Sequence, residues 1–216
     1  MKNYDSNIEI NSKLLKLYDE NTRAFLELWN NCFPKSNNPP TRINDFGIID
    51  TEHFDKEKRV LFIAKETRGW NFSFLSWINT MASTRSSGTQ YPRMWYNIGR
   101  WAKLICNSTC NIENLLSEKE ESLSGLSYIA FTNLNKIGGF NISKKSYRDL
   151  IKNKLPFEIL SKEIYIIKPN TIVLCGIKKR HVAFIDETIR VVEMPHPSAR
   201  NISNRNMLQQ LKAQIQ

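Results

Sequence analysis

Four cysteines are spread over 216 residues, and no two of them form a CxxC or stand with a histidine pair at finger spacing. Neither a zinc site nor a disulfide framework is signalled, so Cys32, Cys106, Cys110 and Cys175 read as reduced thiols. Cys175 lies in the apolar run TIVLCG and is expected to pack as a small hydrophobe. The opening residues MKNYDSNIEI lack the apolar core of a secretion signal, and no run of about 18 apolar residues exists to cross a membrane. A cytoplasmic protein is expected. There is no GxSxG elbow, and Ser198 stands two residues from His196 on a proline-fixed turn, which argues against a serine hydrolase. An acid-x-Lys pair of the kind that binds Mg²⁺ in restriction-type nucleases is also missing, because Lys65 precedes Glu66 and no Asp closes a neighbouring apolar run.

Basic charge is in excess: 31 Lys and Arg against 21 Asp and Glu, a formal +10, with clusters at Lys144-Lys145 and Lys178-Lys179-Arg180. Such a surface attracts polyanions. The length suits one domain, 1–216, with residues 1–45 as a helical extension packed on it. Residues 8–33 carry apolar side chains at helical spacing through Leu14, Leu15, Leu17, Phe25, Leu28 and Trp29, stopping near Pro34. Residues 35–47, KSNNPPTRINDFG, form a turn-rich loop stiffened by Pro39-Pro40.

Four short apolar runs follow: RVLFIA (59–64), LSYIAFTN (126–133), TIVLCG (171–176) and TIRVVEMP (188–195). Helix-like stretches at 72–83, 94–105 and 145–167 lie between the first three. This alternation predicts a three-layer α/β/α fold around a central, mostly parallel, four-stranded sheet. In the 94–105 stretch, Trp95, Tyr96 and Trp101 are expected to pack inward, with Arg93 and Arg100 forming a basic outer side.

Ligands bind beyond the carboxyl ends of strands in such sheets. Three of the runs end in chemically useful residues: Lys65-Glu66-Thr67-Arg68-Gly69-Trp70, then Thr132-Asn133-Leu134-Asn135-Lys136, then His196-Pro197-Ser198. Each has a plain alternative: Glu66 as a first-turn helix acid, Asn133 as a turn former, His196 as a surface residue in a turn. Together they offer a carboxylate to orient or deprotonate water, an amide to read a planar heterocycle, and an imidazole N–H to stabilise an oxygen anion. That set suits hydrolysis of a nucleoside N-glycosidic bond, with Glu66 serving the water and His196 the departing base.

These motifs resemble those of the uracil-DNA glycosylase superfamily. HPSARN (196–201) is similar to the HPSPRN of the single-strand-selective branch, KETRG (65–69) to the GEAPG of the bacterial iron–sulfur branch, and FTNLNK (131–136) to that branch's TNVVK. KPNTIVLCG (168–176) resembles the strand between them, so the likeness spans residues 59 to 202. It implies a DNA glycosylase leaving an abasic site, with Glu66 as water-activating acid, His196 beside the leaving base and Asn133 as base reader. The substrate would be uracil or, as in relatives that act as defence enzymes, a hypermodified pyrimidine of viral DNA. A non-catalytic DNA-binding module is the rival reading, and substitution of Glu66 separates the two.

Departures from the family pattern also matter. Lys65 replaces a glycine and Arg68 a tyrosine that excludes the thymine methyl, so both line the base pocket with positive charge. The cysteines do not match the cluster ligands, and no iron–sulfur cluster, metal or cofactor is expected. Among Trp70, Phe72 and Phe74, Phe72 is favoured to stack on the base, because Phe74 and Trp77 are spaced like helix core residues. The usual leucine wedge is replaced by Ala199-Arg200. Ser198, Arg200, Asn201 and Lys136 are expected to meet DNA, and the protein is expected to act as a monomer.

Overall fold

A strand covered on both faces must be apolar at consecutive positions, whereas one with a wet face alternates. All five residues of β2 (Val60–Ala64) and of β3 (Ile129–Asn133) are buried, as are four of five in β4 (Thr171–Cys175). The edge strand β5 (Arg190–Met194) is exposed at Arg190. The computed structural model describes residues 2–32, 43–54, 57–65, 73–83, 92–118, 121–136 and 152–216.

Within these, β2, β3, β4 and β5 pair in parallel, and a fifth strand, β1 (Gly47–Ile48), joins antiparallel to β3, giving the order β1-β3-β2-β4-β5. The sheet is therefore five-stranded and mixed, not four-stranded. β1 escapes the sequence because two residues at the end of a proline-rich loop carry no periodicity. A helix, α1 (Lys2–Cys32), caps its outer side. The Asn11 amide donates to the Ile48 carbonyl and accepts from the Ile48 N–H, both at 2.9 Å, taking the place of a further strand. Gly47 has φ +150°, and a Cβ there would lie 2.5 Å from Asn11 Oδ1.

The remaining α-helices among the described residues are α2 (Phe74–Ser83), α3 (Arg93–Cys106), α4 (Ile112–Ser117), α5 (Glu121–Ser124), α6 (Leu155–Ile167) and α7 (Asn204–Ile215). None of the described helices is long and apolar enough to cross a membrane. Residues 126–128, expected to begin a strand, instead belong to a 3₁₀ turn that precedes β3.

Two neighbouring side chains on β3 show how the sheet is covered, because successive residues of a strand point to opposite faces. Thr132 hydrogen-bonds Glu163 of α6, on which α1 packs. Phe131 meets the rings of Phe74 from α2 and Trp95 from α3, with centroids 5.5 and 5.2 Å away. Such ring pairs contribute about 0.5–1.5 kcal/mol each beyond the area they bury.

Helix α3 departs from the amphipathic reading. Trp95, Tyr96 and Trp101 are buried as expected, but Arg100 is buried too, and Arg93 is tied to Asn204 and to the Ile202 carbonyl. No basic outer side is formed by this pair, because α4 and α7 cover the surface they would have faced. A Cβ on Gly99 would meet the Ser122 carbonyl oxygen at 1.9 Å, so the glycine allows α3 to touch the α5 backbone.

Candidate active site

Parallel pairing puts the carboxyl ends of β2 to β5 on one edge: Ala64 lies opposite Asn133, and Cys175 opposite Met194. The chain goes from β2 to β3 on one side, then crosses to β4 on the other, so connections diverge from β2. A crevice at such a switch point is where open α/β sheets bind ligands. At roughly 4.8 Å per interval, the ends of β3 and β5 stand about 14 Å apart, enough for a nucleotide between them.

Asn133 closes β3. The ladder continues past it, with Leu134 N–H donating to the Ala64 carbonyl and Asn135 N–H to the Lys65 carbonyl, both at 2.8 Å. The backbone is thus held firmly, but the side chain is not. Asn133 is fully buried, and its amide nitrogen and oxygen both lack a hydrogen-bond partner among the described residues. No other described side chain has two such atoms. Each buried unsatisfied group costs about 1–3 kcal/mol.

His196 follows β5 between Pro195 and Pro197, whose rings fix φ. The Ala199 N–H closes a turn onto the His196 carbonyl at 2.8 Å, and the Ser198 N–H donates to His196 Nδ1 at 3.1 Å. A neutral imidazole that accepts at Nδ1 carries its proton on Nε2, so the ring is set as an Nε2–H donor. Gly176, just past β4, has φ +73°, and a Cβ on it would lie 3.2 Å from the His196 Cβ. Only glycine lets the two loops approach this closely without strain. The glycine that follows the apolar run TIVLC is the sequence signal for this contact.

Lys136 is not a DNA contact. It is fully buried, and its Nζ pairs with Glu163 Oε2 at 2.5 Å and donates to Thr132 Oγ1 at 2.7 Å. The second Glu163 oxygen accepts from Tyr18 OH of α1 and from Thr132 Oγ1. Burial pulls the Lys136 ammonium down and the Glu163 charge opposes it, while burial and then Glu163 hold the Tyr18 phenol well above its ordinary range. The lysine sits past a strand end because it completes an ion pair with α6 behind the sheet.

Phe74 is also withdrawn from the stacking candidates, since it is buried among Phe46, Trp95 and Phe131. Lys65 is half-buried at the end of β2. Ser198, Arg200 and Asn201 are exposed on the loop after His196. Glu66, Arg68, Trp70 and Phe72 lie outside the described residues, as do Lys144 and Lys145. Beside the histidine loop, an open groove of about 570 Å³ is lined by Gly176, Lys178, Lys179, Glu193, Pro195 and Gln210. Glu193 accepts from the Lys179 N–H at 2.7 Å and pairs with Lys178 at 3.3 Å, and the backbone bond leads in holding its carboxyl below the usual range.

The arrangement brings Lys65, Asn133 and His196 to one edge and removes Lys136 from it. Comparison of the chain with protein-family models, with curated proteins and with solved structures found no match.

Proposed function

We propose that this protein is a monofunctional DNA glycosylase of uracil-DNA glycosylase type, hydrolysing the N-glycosidic bond of a flipped uracil or modified pyrimidine. The observation that carries this reading is the Asn133 amide, buried at the strand ends with neither its donor nor its acceptor used among the described residues. A flipped pyrimidine offers an adjacent carbonyl and N–H on its edge, the complement of one carboxamide. Asn133 is screened from solvent, so base entry requires the residues packed around it to move.

In the proposed reaction, Glu66 orients a water toward the anomeric carbon and takes its proton. The C–N bond breaks, its electron pair leaves with the base, and negative charge grows on the pyrimidine carbonyl oxygen. His196 meets that oxygen through Nε2–H, the tautomer favoured by the Ser198 N–H on Nδ1. The water oxygen bonds to the anomeric carbon, and the proton that Glu66 took is passed through solvent to the departed base anion, so the products are neutral free base and an abasic site. Lys65, where the resembled family carries glycine, favours a base with a substituent able to accept a hydrogen bond or a charge.

The test is incubation of the protein with DNAs containing uracil, oxidised pyrimidines or natural hypermodified bases, with released base identified by mass spectrometry. Release is expected to survive EDTA and to slow by about 10²–10³-fold in His196→Ala, the scale of losing one preorganised oxyanion donor. No base released from any of these DNAs, or wild-type release by both His196→Ala and Glu66→Gln, would sink the reading.

A further inference from the structure

Asn97 lies in the middle of α3, is almost fully buried, and donates from Nδ2 to the Pro197 carbonyl at 2.7 Å. That carbonyl and the Ser198 N–H belong to one peptide unit, which is planar and rigid. The same unit is therefore bonded at both ends, by Asn97 at its oxygen and by His196 Nδ1 at its nitrogen. Fixing the direction of the C=O fixes the direction of the N–H.

The amide could point either way, and Arg100 decides which. Its Nη1 donates to Asn97 Oδ1 at 3.4 Å, leaving the Nδ2 side for Pro197. Arg100 in turn is held by the Leu115 carbonyl at 2.7 Å and the Leu116 carbonyl at 3.5 Å, in the last turn of α4 where helix carbonyls lack internal partners. A second arginine of α3 pins the far end of the loop, with Arg93 donating to Asn204 Oδ1 at 2.6 Å and to the Ile202 carbonyl at 3.2 Å.

We infer that Asn97 is a positioning residue for His196, oriented by Arg100 and acting through the Pro197–Ser198 peptide to keep the imidazole an Nε2–H donor. This inference rests on the proposed role of His196 as the group that meets the leaving base. It assigns a task to a polar stretch of α3 that core packing does not require, since an apolar residue at 97 would fill the same space without needing Arg100.

Asn97→Asp is the informative variant. The carboxylate keeps the shape and gives Arg100 a stronger acceptor, but it has no N–H for the Pro197 oxygen and repels it. The peptide is expected to turn and withdraw the Ser198 N–H from Nδ1. Ring ¹⁵N chemical shifts report the tautomer directly, and with only three histidines in the chain the His196 signals are assigned by substituting the other two. Wild type is expected to show the Nε2–H form alone, and Asn97→Asp a mixture or the Nδ1–H form. Single-turnover base release is expected to fall by about 10²-fold, the scale of a small misplacement of a reacting group, with DNA affinity unchanged.

An unchanged tautomer in Asn97→Asp would overturn the inference. Should that variant not fold, Asn97→Ala removes the same donor without adding charge and carries the same expectation. Failure of both to fold would make Asn97 a framework residue and also overturn it. The spectroscopic arm needs no substrate, so an inactive wild type whose tautomer responds to residue 97 would sink the glycosylase reading alone.

Discussion

Thr132 and Asn133 are neighbours on β3, both fully buried, and their polar side chains are treated in opposite ways. Thr132 belongs to a network with Tyr18, Lys136 and Glu163 in which both carboxylate oxygens, the ammonium, the phenol and the hydroxyl all have partners. Asn133, facing the other way, has none among the described residues. A buried polar group that is satisfied within the protein belongs to its framework. One whose bonds are unused costs free energy that a bound ligand can recover, which makes it a candidate for ligand contact.

Breaking the network should produce the largest effect. Lys136→Met leaves the Glu163 charge buried with only hydroxyl donors, and destabilisation by about 3–5 kcal/mol is expected in urea unfolding. Pairing it with Glu163→Met removes the stranded charge and should recover most of the loss. If Lys136→Met alone cost nothing, the two sides of β3 would not differ as described.

A milder cut tests the link to α1. Tyr18→Phe removes one hydrogen bond to a carboxylate that keeps its Thr132 and Lys136 donors, a loss of about 1.5–3 kcal/mol. It should also change the alkaline limb of stability. The folded protein holds the Tyr18 proton above the phenol's ordinary value, near 10.0, so above that pH the unfolded chain binds fewer protons than the folded one. The contribution is full below the unfolded value and is lost as pH rises past it. Stability measured from pH 8 upward should therefore fall less steeply in Tyr18→Phe than in wild type, and identical slopes would rule the coupling out.

The opposite sign is expected at Asn133. Asn133→Leu keeps the branching of the side chain and removes two unsatisfied polar atoms, so the protein should gain up to about 1–3 kcal/mol while losing base recognition. A stability gain coupled to loss of function is the signature of a binding residue. A clear stability loss would show that the amide has a partner in the framework.

The sequence conveyed most of the sheet because β2, β3 and β4 are buried on both faces and so read as unbroken apolar runs. It conveyed the edge that carries both Asn133 and His196, because parallel strands put their following residues on one side of the sheet. It could not separate Asn133 from Lys136, three residues apart in one motif, since the partner that claims Lys136 is Glu163 in α6 and the pairing exists only in three dimensions. Arg100 was misread for a related reason. Its partners are backbone carbonyls of α4, which no side-chain pattern records. Asn97 and Gly176 were missed because each acts on a loop about a hundred or twenty residues away in the chain.

The smallest effect separates a surface cation, Arg200, from a buried one, Lys136. Binding to DNA by a +10 protein should weaken steeply with salt, and each phosphate contact adds about 0.9 to the slope of log K against log salt on duplex and about 0.7 on single strands. Arg200 is exposed on the loop that follows His196, whereas Lys136 has no exposed surface and is already neutralised by Glu163. Arg200→Ala should therefore flatten the slope by about one contact and weaken binding to every sequence alike. The Lys136→Met, Glu163→Met pair should leave the slope where it is, because neither charge faces a phosphate. Titrations by fluorescence anisotropy at several salt concentrations resolve a difference of this size. An unchanged slope in Arg200→Ala would remove the histidine loop from the DNA contact surface, and a flattened slope in the double variant would mean that the Lys136 charge reaches the nucleic acid after all.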